Sequence, residues 1–357
     1  MSLHSPTFSN SSFESEANSV VNRVVTTVSA SLSILGTSLI IITFIAWKDL
    51  RSTSRKILVF ISIGDFFIAG GNLWGVWLAR NDHTTIPCKA QSFVTTCASL
   101  WSFFWTTFLS IFMYTAVARR QAEKADKMLR YFHIFGWGIP LIITGIAFGE
   151  NKLGNDYDFY SAGWCWISGN LTTREKQIWM LLTGKAWEMA AYVLISTFFW
   201  GLKYHIRKEV YHRKKQFTSL QNKESAIKAE RRLTMLPIIF ILVRIWGTIR
   251  FIIYLLDNQI TAAALKSDWE KALLYLQGIG DSSQGLANFL LFCLFTEKFR
   301  GRLKLAAKEC LQCCKSPSGD PPPRMDRSGE FQNDHRTLIN ESSNLLASTS
   351  TSVEQGP

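Results

Sequence analysis

Seven apolar segments of about 20 residues each dominate this sequence. About 20 helical residues, each rising about 1.5 Å, cross the roughly 30 Å hydrocarbon core of a membrane. A content of 47% hydrophobic and 13% aromatic residues is also too apolar for an average soluble domain. The sequence therefore predicts an all-α membrane protein built as a seven-transmembrane-helix bundle. Its predicted spans are Val24–Trp47, Ile57–Ala79, Gln91–Ala118, Phe132–Phe148, Ile178–Leu202, Leu233–Leu256 and Ala272–Phe295.

The distribution of lysine and arginine predicts the orientation of this bundle, because basic residues are retained on the cytoplasmic face. The connections after spans one, three and five and the stretch 296–314 just after span seven carry 24 of them, against eight on the opposite side. The N-terminus is therefore expected outside and the C-terminus in the cytoplasm. Most of the net charge of +12 then lies in membrane-facing loops, which argues against nucleic acid as a partner. Residues 1–22 lack the basic start and apolar core of a signal peptide, so span one is expected to act as the anchor.

Sequons and cysteines fit this orientation. Asn10 and Asn170 each begin a glycosylation sequon on the predicted outside. Cys88, at the outer start of span three, and Cys165, in the outer loop after span four, both lie on the oxidising side. These two cysteines are expected to form a disulfide, the alternative being two free thiols.

The two ends of the chain have compositions that are typical of disorder. Residues 1–23 are rich in serine and asparagine, and residues 315–357 are rich in proline, serine and threonine. Between them lie the bundle, residues 24–295, and a segment, residues 296–314, with apolar residues at three- and four-residue spacing among basic ones. This segment predicts a short amphipathic eighth helix on the inner leaflet.

Three cysteines lie at the C-terminal end of the predicted eighth helix. Cys310, Cys313 and Cys314 are placed for palmitoylation at the inner leaflet. A zinc site is the alternative, although a fourth ligand is missing nearby. In the tail, Ser348–Ser352 is a candidate phosphorylation cluster for desensitisation, which makes receptor kinases and arrestin candidate partners.

Polar and aromatic residues in spans two and three are the first candidates for function. Asp65 and Asn72 are seven residues apart and hence on one face of span two, where they could bind an ion or bridge neighbouring helices. Trp101 and Trp105 belong to an aromatic stripe in the outer half of span three. Such a stripe could be packing or the wall of a ligand pocket.

Three motifs in defined places carry a family resemblance. They are Gly136-Trp137-Gly138-Ile139-Pro140 in span four, Cys165-Trp166 in the second outer loop and Gln284-Gly285 in span seven. Together they resemble the secretin-type G-protein-coupled receptors and the neighbouring family related to the slime-mould cyclic-AMP receptors. The rhodopsin-type motifs, an acidic-Arg-Tyr triplet after span three and Asn-Pro-x-x-Tyr in span seven, are missing from the sequence.

The resemblance extends over about residues 24 to 310 and implies a receptor that signals through a heterotrimeric G protein. Two further segments, Gly184–Glu188 and Arg244–Phe251, narrow it to the orphan vertebrate receptors of this group. Secretin-type hormone receptors also carry a large disulfide-bonded outer domain, and this sequence shows none. The unknown extracellular ligand is therefore expected to be small or polar, and not a large peptide hormone.

Spans five and six hold most of the charge within the predicted membrane. From the rise per residue, Glu188 is about 15 Å below the outer end of span five and Arg244 is about 16 Å above the inner end of span six, so both lie near the midplane. An unpaired charge at that depth costs at least about 2.5 kcal/mol. A Glu188–Arg244 ion pair is therefore predicted as an intramembrane lock. Lys185 and Arg250 lie about 9–11 Å from the outer surface by the same arithmetic.

Two interpretations of Lys185 and Arg250 stay open. They could form the cationic wall of an outer pocket for a small anionic or polar ligand, with tryptophans as the apolar walls. Alternatively, Lys185 pairs with Glu188 one turn away on the same helix, and Asp281 neutralises Arg250. The candidate pocket residues are Trp101, Trp105, Lys185, Trp187, Trp246, Arg250 and Asp281.

The cytoplasmic side is expected to contact lipid and the G protein. The loop Lys203–Arg232 is basic and polar, which favours anionic inner-leaflet lipid and a G protein as partners. Pro237 would bend span six one turn from its inner end, so it is the predicted activation hinge.

Other classes of function fit the sequence less well. A membrane hydrolase would need clustered histidine and carboxylate ligands, and the few histidines lie mostly in loops or termini. A transporter would be expected to show internal repeats, and the span-four and span-seven motifs occur once each. We expect a plasma-membrane receptor without cofactor, metal or enzymatic activity, with a small-substrate transporter as the alternative.

Overall fold

The structure is a computed structural model that describes residues 19–48, 51–78, 86–155, 161–213, 239–256, 268–294, 299–301 and 303–304. The chain divides into two compact units, one up to Gly301 and one from Arg302 onward. All seven predicted spans fall in the first unit. Of the second unit, only residues 303–304 are described, and they are helical.

Two capped helices begin the first unit. They are α1 (Val20–Ala46) and α2 (Thr53–Trp77). The hydroxyl of Ser19 before α1 accepts a backbone N–H of the first turn at 3.2 Å, and the hydroxyl of Ser52 before α2 does so at 3.4 Å. These caps satisfy N–H groups that the first turn of a helix leaves without an intrahelical partner.

The next two helices lie on either side of a short turn. α3 (Ile86–Met113) continues into a π-helical turn at Tyr114–Ala118, and α4 (Ala122–Gly149) contains Pro140 inside the helix. α4 begins well before the predicted span, which starts at Phe132. Hydropathy detects only the apolar part of a helix, so the charged first turns of α4 were left out of the prediction.

The loop between α4 and α5 contains two short antiparallel strands, β1 (Leu153–Gly154) and β2 (Trp166–Ile167). The fifth helix, α5, consists of Thr173–Met180, a π-helical turn at Leu181–Lys185 and then Ala186–Arg213. A capping box between the residue before α5 and its first turn fixes the start of the helix.

The last two long helices of the first unit are α6 (Ile239–Leu256) and α7 (Asp268–Phe289), and α7 continues into a π-helical turn at Leu290–Leu294. The described helices α1 to α6 are long and apolar enough to cross a membrane, and α7 does not meet that criterion. The reason is that α7 carries Asp281 and turns glutamine and serine side chains into the bundle. A multi-pass helical membrane protein is thus supported, while the seventh span stays a prediction.

Small and polar residues share the interior of the bundle with large apolar ones. α2 packs against α1, α3 and α7, and α3 packs against α4 and α5. α1 and α7 approach closely, because a Cβ added to Gly285 would lie 2.3 Å from Thr37 Cγ2. Many other large apolar side chains are exposed on the outer faces of the helices, and Leu35 and Ile142 are two of them. Apolar side chains on the outer faces suit helices that are surrounded by lipid.

Several predicted features lie outside the described residues: Asn10, Pro237, Cys310, Cys313, Cys314 and the terminal segments. Of the predicted eighth helix, residues 299–301 and 303–304 are described and helical. Phe299 is buried there and packs edge-on against Trp47, with ring centroids 5.6 Å apart. Asn170 is exposed in a turn of the α4–α5 loop.

Candidate functional site

The α4–α5 loop is tied to the start of α3. Cys88 and Cys165 form the predicted disulfide, with Cα atoms 5.6 Å apart. Next to it, the backbone N–H of Cys165 donates to Gln91 Oε1 at 2.9 Å. These two links hold the loop against one end of the bundle, which we call the disulfide end.

Two tryptophans flank Cys165 and reach into the bundle. A Cβ at Gly75 in α2 would lie 2.5 Å from Trp164 Cβ, and a Cβ at Gly184 in α5 would lie 3.1 Å from the ring of Trp166. Both glycines therefore make room for these tryptophans. The loop can approach α2 and α5 closely here because these helices carry no side chain at the two contact points.

A cavity of about 70 Å³ lies among α2, α3, α5, α6, α7 and the α4–α5 loop. Both loop tryptophans line it, together with the charged residues Lys185, Glu188, Arg244 and Asp281. We call this space the charged cavity. One water needs at least about 10–15 Å³ of such volume, so the space is large enough for several waters or for a small polar molecule.

Lys185 and Glu188 form an ion pair within α5. Lys185 Nζ lies 2.7 Å from Glu188 Oε2, and both side chains are buried. The other carboxylate oxygen accepts from the Tyr192 hydroxyl at 2.6 Å and from Thr248 of α6 at 3.1 Å. The structure thus contains the one-turn pair that was the alternative to a cationic pocket wall.

Arg244 has different partners from the predicted one. No contact within 4 Å joins its guanidinium to Glu188 in the described helices. Its Nε donates to Gln284 Oε1 of α7 at 2.6 Å, and its Cζ lies 4.6 Å from the centre of the Phe103 ring. Nη2 is buried and has no hydrogen-bond partner in the described part of the chain. Arg244 therefore joins α6 to α3 and α7.

Arg250 and Asp281 are linked through an amide. Arg250 Nη1 donates to Gln277 Oε1 at 2.5 Å, and Gln277 Nε2 donates to Asp281 Oδ2 at 3.3 Å. Arg250 is buried on α6 but does not line the charged cavity. The two cations predicted to line one pocket therefore lie in different surroundings. Lys185 lines the charged cavity but is already paired with Glu188, whereas Arg250 contacts α7 and lies outside the cavity lining.

The polar residues of α2 bridge helices. Asp65 is buried and accepts from Ser102 of α3 at 2.7 Å and from Asn288 of α7 at 2.8 Å. Asn72 donates to Ser282 of α7 at 3.2 Å. These contacts are those expected of the bridging interpretation of Asp65 and Asn72.

The four tryptophans of the predicted pocket do not line the charged cavity. Trp101 and Trp105 pack against Trp137 of α4 at centroid distances of 5.0 and 5.4 Å. Trp187 packs against Phe104 of α3 at 5.2 Å. Trp246 is partly buried, and its Cδ1 would lie 3.3 Å from a Cβ added to Gly280 of α7. The packing interpretation of Trp101 and Trp105 therefore fits their positions.

Sequence reasoning missed several residues of this site. Gln277 and Gln284 are neutral, so a search for opposite charges passes over them, although Gln284 stood in a recognised motif. Tyr192 and Thr248 carry no charge and repeat no pattern. Their only signal was the helical face they share with Glu188 or Arg244, which are each four residues away.

Comparison with known proteins identifies the family. A sequence model described as the slime mold cyclic AMP receptor family matches residues 13–267, a range that includes α1 to α6 and the disulfide-linked loop. The chain belongs to this family. Among its relatives, G-protein coupled receptor 157 of Mus musculus is 35% identical, covering 88% of this chain and 94% of the mouse protein.

Two further relatives show the same relationship. G-protein coupled receptor 157 of Homo sapiens is 34% identical over 88% of this chain and 94% of its own length. Cyclic AMP receptor 2 of Dictyostelium discoideum is 28% identical over 42% of this chain and 39% of its own length. These relatives are named as receptors. The chain is therefore a multi-pass membrane protein of the G-protein-coupled receptor type and not an enzyme.

Proposed function

We infer that this receptor transmits an extracellular signal to a heterotrimeric G protein through a movement of α6. The observation that carries this proposal is the polar contact of α6 with both neighbours beside the charged cavity. Thr248 bonds to Glu188 of α5, and Arg244 bonds to Gln284 of α7. A ligand that binds one arrangement of these contacts more tightly than another would shift the position of α6.

The orientation of the bundle in the membrane is inferred from the distribution of basic residues. We place the N-terminus and the disulfide end outside at the plasma membrane, with α7 as the seventh span and the C-terminus in the cytoplasm. Supporting this are the excess of basic residues in the opposite loops and a disulfide at the end expected to be oxidising. Glycosylation at Asn10 and Asn170 and palmitoylation at Cys310, Cys313 and Cys314 belong to the same proposal, as do receptor kinases and arrestin as partners of the tail.

The basic end of α5 and the connection that follows it are proposed to dock the G protein. Changing Arg213, Lys214 and Lys215 together to glutamine is expected to lower basal G-protein activation several-fold, because charges at the rim of an interface raise the association rate. The measurement is second-messenger output from the full chain co-expressed with a panel of chimeric G proteins, corrected for surface expression.

A matched variant distinguishes loss of a docking surface from loss of positive charge elsewhere in the chain. Changing Arg324, Arg327 and Arg336 in the tail to glutamine removes the same number of charges and is expected to leave activation unchanged. If the connection acted only on anionic lipid, its neutralisation would change the surface level but not the activity per receptor. Silence of the wild-type chain with every G protein in the panel would contradict the proposal itself.

Pro237, two residues before the described start of α6, is proposed as the hinge of the predicted sixth span. Its side chain removes a backbone donor and frees the carbonyl four residues earlier, which bends a helix. Pro237→Ala is therefore expected to change basal activation at equal surface expression, either abolishing it or making it constitutive. The same assay reports this, and wild-type output from the variant would exclude the hinge.

The transporter alternative has no counterpart among the relatives described above, which are named as receptors. The transporter alternative would be supported by a flux of substrate across the membrane without any G-protein-dependent output.

A further inference from the structure

The charges of the cavity do not all need a ligand. Lys185 and Glu188 neutralise each other at 2.7 Å, and Glu188 also accepts from Tyr192 and Thr248. This leaves two charged groups on the cavity wall, Arg244 and Asp281, whose partners within the described chain are incomplete.

Arg244 is the cationic group of this pair. Its side chain is on α6, and only 4% of the residue is exposed. One of its nitrogens bonds to Gln284, while Nη2 has no acceptor among the described residues. A buried guanidinium N–H without an acceptor is unusual in folded proteins. Arg244 lines the cavity, so a carboxylate or similar anion bound there would pair with its guanidinium through a charge-assisted hydrogen bond.

Asp281 is the anionic group. The hydrogen bond to its carboxylate is the 3.3 Å donation from Gln277, which is long for an ionised acceptor. Within the described residues, no Lys or Arg nitrogen lies within 4 Å of its oxygens. A primary ammonium in the cavity would supply the strong donor that this carboxylate lacks.

We propose that the charged cavity binds a small dipolar molecule, with its anionic group on Arg244 and its ammonium group on Asp281. This deepens the proposed function by giving the chemical class of the ligand, and it rests on that function only for its signalling role. Because Lys185 pairs with Glu188, the four charged residues on the wall sum to zero. A purely anionic ligand would face the unpaired carboxylate of Asp281, and a purely cationic one would face Arg244.

The size of the cavity restricts the ligand further. Its volume of about 70 Å³ is far below the roughly 300–1,000 Å³ of sites for drug-sized molecules. Trp164 and Trp166 line it at the disulfide end, and their loop is fixed by a disulfide and by Gln91. The two charged groups of the ligand are therefore expected to be separated by only a few bonds.

Three probes of one size test this class directly. They are 3-aminopropionate, which is dipolar, propionate, which carries only the anion, and propylamine, which carries only the cation. With the purified full-length chain in detergent, 3-aminopropionate is expected to raise the thermal unfolding midpoint by several degrees at saturation. Propionate and propylamine at the same concentration should raise it less.

Variants in which a neutral residue replaces Asp281 or Arg244 should no longer prefer the dipolar probe. In Asp281→Asn the cavity wall becomes net positive, so propionate is expected to stabilise more than 3-aminopropionate. In Arg244→Gln it becomes net negative, and propylamine is expected to be preferred. The matched controls are Asp268→Asn and Lys271→Gln, which remove an exposed pair of charges at the start of α7 and should leave the wild-type preference.

Several results would overturn the proposal. One is equal or greater stabilisation of the wild type by propionate or propylamine, and another is no stabilisation by any of the three probes. If Arg244→Gln fails to fold, Asp281→Asn and the wild type still decide the outcome. Since no G protein is present in this assay, its failure refutes the ligand class alone, whereas silence in the coupling assay refutes the proposed function alone.

A lipid headgroup could supply the same dipolar chemistry. Repeating the measurement in nanodiscs of phosphatidylglycerol, with and without phosphatidylethanolamine, separates the sources. Stabilisation by 3-aminopropionate in phosphatidylglycerol alone supports a soluble ligand. Stabilisation by phosphatidylethanolamine that 3-aminopropionate does not increase supports a headgroup in the same site.

Discussion

Replacing Gly280 by alanine is expected to destabilise the receptor by about 3 kcal/mol, the upper range for overpacking a well-filled interior. A Cβ at this position in α7 would lie 1.9 Å from the carbonyl oxygen of Val243 in α6. No rotamer relieves this clash, because the atom in contact belongs to the helix backbone. α6 must therefore move away from α7 to accept the methyl group. The measurement is the thermal unfolding midpoint of the purified full-length chain.

Gly138→Ala is the matched control for this substitution. Gly138 also lies inside a long helix, α4, but nothing is within 4 Å of a Cβ added there. Because alanine favours a helix over glycine by about 0.5–1 kcal/mol, this variant is expected to be equal to or slightly more stable than the wild type. Equal midpoints for Gly280→Ala and Gly138→Ala would show that α6 and α7 are farther apart than the structure has them.

Gly280→Ala also bears on the proposed mechanism. A displacement of α6 from α7 would change the position of α6, and we propose that a movement of this helix activates the receptor. The surface-expressed fraction of this variant is therefore expected to show raised basal G-protein activation per receptor. Reduced activation at normal stability would argue for a movement of α6 in another direction.

The membrane-spanning helices could be predicted because lipid imposes a length and an apolar composition on each of them. The disulfide could be predicted because orientation alone places Cys88 and Cys165 at one end of the bundle. α7 shows where this reasoning weakens. Its inward face holds Gln277 and Gln284, so its composition is less apolar than that of the other long helices described.

Partner residues were harder to predict than helices. Depth arithmetic places Glu188 and Arg244 at one level, but it does not say in which direction each side chain points around its helix. The pairing of Glu188 with Lys185 needed only one-turn spacing on a single helix, and this local geometry was available from the sequence. The partner of Arg244 is a neutral amide on another helix, and no rule of charge matching leads to it.

The tryptophan stripe of α3 illustrates the same limit. Its spacing shows that Trp101 and Trp105 share a face, but not which helix covers that face. The covering helix is α4, where Gly136 makes room for the Trp105 ring at 3.1 Å from an added Cβ. The close approach of Trp164 and Trp166 to α2 and α5 depends on glycines distant in sequence, and single-sequence patterns do not register such contacts.

Glu188→Gln is expected to cost about 3–5 kcal/mol of stability, the usual loss when one member of a buried ion pair is removed. The variant leaves the ammonium of Lys185 without a counter-charge at a position where only 8% of its side chain is exposed. Lys185→Gln should be costly for the converse reason. Thermal or chemical unfolding of the purified full-length chain measures both losses, and surface expression should fall in parallel.

The double variant Lys185→Gln, Glu188→Gln decides whether the pair is the cause. Because it buries no unpaired charge, its loss of stability should be well below the sum of the two single losses. Lys152→Gln, which breaks the partly exposed pair with Glu175 at 3.4 Å, is the control and should change stability little. If the losses from Lys185→Gln and Glu188→Gln simply add, the two charges act independently. Glu188 would then stabilise the bundle mainly through Tyr192 and Thr248, the contacts that join α5 to the helix we expect to move.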